Sequence, residues 1–171
     1  MAVNMYSASV PIFTQYLTAL SSVLDKAQAH CESKKLDQAY FMTMRFYPDM
    51  FPFVRQVRAA CDHALTACAR PAGIEQPKFD NTEATFDDLK KRIATVVEFI
   101  RQIKPEQLNG QEGREITITF PSGERRFTGQ SLLLNFALPN FYFHASTAYA
   151  LLRHAGVEVG KRDFMGTPVQ A

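Results

Sequence analysis

The side chains best able to do chemistry are concentrated in Asn140 to His154, the stretch NFYFHASTAYALLRH. Asn140 and His144 are four positions apart, so a helix places both on one face, one turn from each other, a spacing suited to a shared ligand. The more common fate of one imidazole among aromatic residues is a core position held by a hydrogen bond, here to Asn140, and that reading outweighs a functional one. His154 lies about 15 Å further along a helix axis, and is expected to cap terminal carbonyls or to face water. Gln56 and His63 share a face of an earlier segment. Two turns apart, they cannot both ligate one zinc ion, whose bonds to nitrogen or oxygen are about 2.0 to 2.2 Å, but either one could meet His144 across a bundle. Arg58 and Asp62, at helical spacing, read as a surface ion pair worth a few tenths of a kcal/mol. Asp49, between Pro48 and Pro52, reads as a helix cap.

Other chemistries are poorly served. The 3 cysteines form no C-x-x-C pair, which argues against a disulfide framework or a thiolate zinc knuckle. Cys61 and Cys68 lie two turns apart on one helical face and are expected to be free buried thiols. Cys31, next to His30, has no companion at ligand spacing and is read as structural. The sequence contains no H-E-x-x-H, no glycine-rich phosphate loop and no G-x-S-x-G elbow. Phe136, Phe141, Tyr142, Phe143 and Tyr149, with Phe46, Tyr47, Phe51 and Phe53, could line an apolar pocket. Core packing is the stronger expectation for them.

The elements that must position these groups are helical. Phe13, Tyr16, Leu17, Leu20, Val23, Leu24 and Ala27 recur at three and four residues and predict a helix over 10–31, with Ser9 as its cap and Pro11 in its first turn. A short helix is expected within 37–46. Phe53, Val57, Ala60, Cys61, Ala64 and Cys68 predict a second long helix over 53–70, ended by Pro71 and Gly73. The irregular stretch that follows is long enough to carry the chain along a bundle. Thr85 with Asp88 caps a third over 86–104, and Gly156 stops a fourth over 139–155, with a break or kink near Leu138 caused by Pro139. Between the third and fourth, Ile116, Ile118 and Phe120 alternate with threonines and predict a β-hairpin turning at Pro121 to Gly123.

A chain of 171 residues suits one domain, residues 1–171, and buries roughly 70% of its unfolded surface without disulfides or a structural metal. The net charge of +2 comes from interspersed signs, so neither a nucleic-acid groove nor a polybasic membrane anchor is indicated. No apolar run reaches the roughly 18 residues of a transmembrane helix, and Met1 to Val10 lacks the pattern of a signal peptide. The expected compartment is the cytoplasm.

The segments SVPIF, YPDMFPFVRQV, the Thr85 helix and LPNFYFHASTAYALLRHAGVEVGKRDF together resemble an uncharacterised bacterial branch of the DinB/YfiT-like metalloenzymes, over nearly the whole chain. The resemblance implies an all-α four-helix bundle, here with a small hairpin between helices three and four, and a homodimer. It also implies a divalent metal held by three histidines, and in some members thiol-dependent transfer or hydrolysis. Anchored on Leu151, Leu152, Arg153 and Gly156, the superfamily's last-helix H-x-x-x-H pair falls at Asn140 and His144, and its helix-two histidine near Gln56. Where the superfamily has three imidazoles, this chain presents Gln56, Asn140 and His144. Amides are poor zinc ligands, so a degenerate metal site with no cofactor is expected, in a protein that binds a small ligand or acts as an interaction module. The alternative is a transferase or hydrolase dependent on zinc or nickel, with His144 as metal ligand or general base.

Overall fold

The computed structural model describes residues 3–168. The elements run in order α1 (Val10–Lys34), α2 (Gln38–Thr43), α3 (Phe53–Ala72), α4 (Phe86–Gln102), α5 (Pro105–Leu108), β1 (Glu115–Phe120), β2 (Gly123–Thr128) and α6 (Gly129–Ser131). A π-helical segment (Leu132–Ala137) leads into α7 (Leu138–His154), and α8 (Lys161–Met165) follows. The fold is mainly helical with one two-stranded antiparallel sheet. Residues 1–2 and 169–171 of the expected domain lie outside the described residues. Among the described residues no helix is long and apolar enough to cross a membrane.

α3 packs most extensively against α7 and also against α4, and α4 lies along α1. The small inner residues of α3, Ala60, Cys61, Ala64 and Cys68, are fully buried and permit that close approach. The three cysteines are free and buried, as expected, and burial pushes the Cys61 and Cys68 thiols up to about 12, which leaves them unreactive. Thr85 and Asp88 form the expected reciprocal capping box. α3 ends on Gly73 at φ 71, a left-handed conformation that a residue with a Cβ adopts only at a cost.

Three local expectations are corrected. Ser9 precedes α1, but its hydroxyl donates to the Met5 carbonyl at 2.6 Å rather than accepting from the first turn. Pro52, not Asp49, occupies the cap position of α3, because it presets the extended backbone from which the helix starts. Arg58 and Asp62 do not pair. Asp62 bonds to Arg92 of α4, and Arg58 bonds to Glu83 in the long connection between α3 and α4. An exposed pair on one helix yields little, whereas the buried Arg92 guanidinium needs carboxylates to offset its desolvation.

The hairpin pairs Glu115 with Thr128 through to Phe120 with Gly123. It docks through Phe120 and Phe127, whose rings lie 5.7 and 5.2 Å from that of Phe136 in the π-helical segment. At its base the Gln111 carbonyl lies directly over Gly129, where no side chain could fit. The irregularity expected near Leu138 takes the form of a change from π- to α-helical bonding at that residue. Pro139 has no N–H to give to the preceding turn.

Candidate functional site

The site forms where the first three turns of α3 face the middle of α7. Pro52 is extended, so Phe51 stands just outside the helix with its carbonyl pointing at the first turn. Gln56 is 1% exposed, and its Nε2 donates to that carbonyl at 3.0 Å. This contact fixes which way the amide faces. Its Oε1 then points at Nδ1 of His144, 2.7 Å away, and as an oxygen it can only accept. The network therefore assigns the neutral His144 ring as the tautomer protonated on Nδ1, with the lone pair on Nε2.

Two further rings lie parallel to this imidazole. Phe51 is 5.8 Å away at an interplanar angle of 5°, and His63 is 5.6 Å away at 11°. His63 in turn meets the edge of Phe136 at 5.4 Å, which joins the site to the hairpin cluster. The exposed Phe143 ring stands edge-on to His144 at 5.2 Å, and the Arg55 guanidinium lies 3.6 Å over Phe51.

Both imidazoles are neutral near pH 7. Burial lowers the His63 pKa to about 4, with the neighbouring His144 adding to the effect, and burial followed by the charge of Arg55 lowers that of His144. Among the described residues, none hydrogen-bonds Nε2 of His144 or either nitrogen of His63, and none of these nitrogens is sealed from solvent.

Of the residues expected at the site, the structure brings Gln56 and His144 together. Asn140 is not bonded to either: its Nδ2 donates to the Phe136 carbonyl at 2.7 Å, within its own helix. The expected Asn140 to His144 hydrogen bond is absent because this amide turns back onto the Phe136 carbonyl, one turn earlier in the chain. His63 was not in the expected ligand set. The signal for it was its seven-residue spacing from Gln56, which puts both on the α3 face that α7 covers. Spacing excluded a shared metal but not a shared contact with His144. His154 stays at the exposed end of α7, its ring 5.8 Å from Phe46.

A centre of three imidazoles does not fit these residues. Among those described, no group of three His, Cys, Asp or Glu side chains is placed to hold a metal ion. The Gln56 oxygen that might stand in for a third donor is already engaged by the Nδ1–H of His144. What remains is a fixed imidazole acceptor, a second neutral imidazole and an aromatic surround.

The model of a domain of unknown function, DUF1993, matches residues 5–165. No curated protein matches the chain. A crystal structure of a DinB family member protein from Shewanella denitrificans is 37% identical, covers 97% of this chain and 94% of its own, and superposes with a TM-score of 0.86. The chain is thus a DinB-like protein and belongs to the DUF1993 family.

Proposed function

We propose that this chain is a small-ligand-binding or interaction protein on a DinB-like four-helix bundle, one domain over residues 1–171, whose metal site has degenerated. The observation that carries the reading is the 2.7 Å hydrogen bond between Gln56 Oε1 and His144 Nδ1. It makes the amide a positioning group for one imidazole instead of a metal donor. One imidazole ligand and neutral amides offset the dehydration of a divalent cation poorly. The ligand contacts His144 through Nε2, with Phe51, His63 and Phe143 as flat apolar neighbours. In this reading Asn140 supports the helix beneath the site. The protein works in the cytoplasm as a homodimer, and light scattering that returned only the 19.3 kDa monomer mass at micromolar concentration would count against the dimer.

Elemental analysis of untagged protein is the test. The expected result is far less than one equivalent of metal. Close to one zinc, nickel or manganese per chain, abolished by His144→Ala, would overturn the reading in favour of a second: a divalent-metal-dependent transferase or hydrolase using His144. The observation favouring that second reading is the pair of neutral imidazoles, His63 and His144, with nitrogens that no described residue uses.

A further inference from the structure

A second cleft lies far along the chain from the histidine pair, between the outer face of α1, the end of α4 and α8 with the residues after it, and encloses about 420 Å³. Its floor is a stripe of hydroxyls: Thr14, Thr18 and Ser22 follow one another at single-turn spacing on α1. Of these, the Thr14 oxygen is sealed from solvent and the Ser22 hydroxyl donates to the Thr18 carbonyl at 3.3 Å, which leaves the exposed Thr18 hydroxyl facing the cleft.

Two arginines line the same cleft, Arg101 from α4 and Arg162 from α8. Among the described residues neither forms an ion pair, although the chain pairs its buried arginines, Arg58 and Arg92, with carboxylates. The one acid of the lining, Asp163, is already committed: Lys26 Nζ lies 2.7 Å from one of its oxygens, and the Gly160 N–H donates to the other at 2.8 Å. Those bonds hold its carboxyl below the usual carboxylate range, the hydrogen bond from Lys26 most of all. The cleft is therefore cationic at neutral pH. Gln15 Nε2 donates to the Met165 carbonyl at 2.8 Å and ties α8 to α1, so the arginines stand on linked elements rather than on a free tail.

We propose that this cleft binds the oxyanion group of a small metabolite, a phosphate or a carboxylate, between Arg101 and Arg162 and above the α1 hydroxyls. Guanidinium forks match the paired oxygens of either group. The exposed Thr18 hydroxyl can donate to an anion oxygen seated there.

The test is calorimetric titration of the full chain at low ionic strength with inorganic phosphate and, separately, with succinate. Saturable binding of at least one anion is expected, with the tighter of the two identifying the class. Arg101→Ala and Arg162→Ala should each weaken it about tenfold or more, Thr18→Val less, and Arg162→Lys should restore only part, because a point charge replaces a fork. His144→Ala should leave it unchanged, which separates this cleft from the histidine site. Both arginines are exposed, so these variants are expected to keep the wild-type thermal midpoint. No saturation by about 10 mM of either anion, or binding that both arginine variants retain, would overturn the proposal.

Discussion

Asp62 and His63 are neighbours on α3, yet they belong to opposite kinds of polar chemistry. Asp62 joins a cluster around Arg92, which is 3% exposed and bonds also to Glu83 at 2.7 Å and Asn81 at 3.0 Å, with the Phe79 ring 4.1 Å beneath its guanidinium. Every strong charge there has an opposite partner, and the result is to fasten the long connection between α3 and α4 onto both helices. His63 joins rings that are neutral and carry unspent nitrogens. A network whose charges are matched by its own chain has little left to offer a ligand, whereas one kept uncharged and incompletely bonded does. Asp62 on this helix serves structure through the buried Arg92 of α4, and the half-buried His63 belongs with the buried His144 of α7 to the candidate site.

The comparison predicts its own largest effect. Arg92→Leu leaves Glu83, which is only 10% exposed at its side chain, as a carboxylate with Arg58 alone. Removing one member of such a cluster destabilises by about 3 to 5 kcal/mol, and urea unfolding should show it. Ligand or anion binding by the surviving folded fraction should be unaffected. A loss smaller than that of any histidine variant would break the comparison.

Next in size is His144→Ala. The Gln56 oxygen, sealed in the interior, loses its donor, at about 1 to 3 kcal/mol. Gln56→Ala is the sharper variant, because it keeps the ring and frees its tautomer. Nitrogen-15 shifts of the His144 side chain should report Nδ1 protonation in the wild type and a mixture in Gln56→Ala. An unchanged tautomer would show that Gln56 does not position the imidazole.

The difference between the two regions was only partly legible in the sequence. Helix periodicity found α1, α3, α4 and α7 because an apolar stripe such as Phe86, Leu89, Ile93, Val96, Val97 and Ile100 has no other economical arrangement than a buried face. The hairpin was legible from its alternation. Arg92 was invisible, since nothing local distinguishes a buried arginine from a surface one, and its partners come from α3 and from the α3 to α4 connection. At the site, Gln56 and His144 were legible through the resemblance, but the side chain of Asn140 was not. Its amide turns back onto the carbonyl of Phe136 in the π-helical segment, an alternative to a bond with His144 that residue spacing does not distinguish.

A smaller effect separates the regions by pH. His63 is held neutral when folded, with a pKa near 4, against about 6.5 in an unfolded chain. As pH falls below 6.5 the unfolded chain takes up a proton that the folded one refuses. Stability is therefore full above that value and declines toward pH 4, and below it this residue contributes no further slope. The lowered pKa of His144 acts in the same direction. Urea midpoints measured across this range should fall in the wild type and fall less in His63→Phe, which keeps the stacked ring without its nitrogens. An identical slope in both proteins would place the acid sensitivity elsewhere.

The smallest effect is expected from Asn140→Ala, and it decides which region that residue serves. Its Nδ2 bonds the Phe136 carbonyl within one helix, and the residue is only half-buried, so water can replace the amide. The loss should be about 0.5 to 1 kcal/mol, in the range of an ordinary intramolecular hydrogen bond. Faster amide exchange should be confined to the π-helical segment and the first turn of α7, because the carbonyl at their junction loses a donor. The titration and tautomer of His144 should not move, since no hydrogen bond links the two residues. If Asn140→Ala instead shifts the His144 titration, or costs as much as His144→Ala, then Asn140 acts on the imidazole directly. The site would then include all three residues that the resemblance places there.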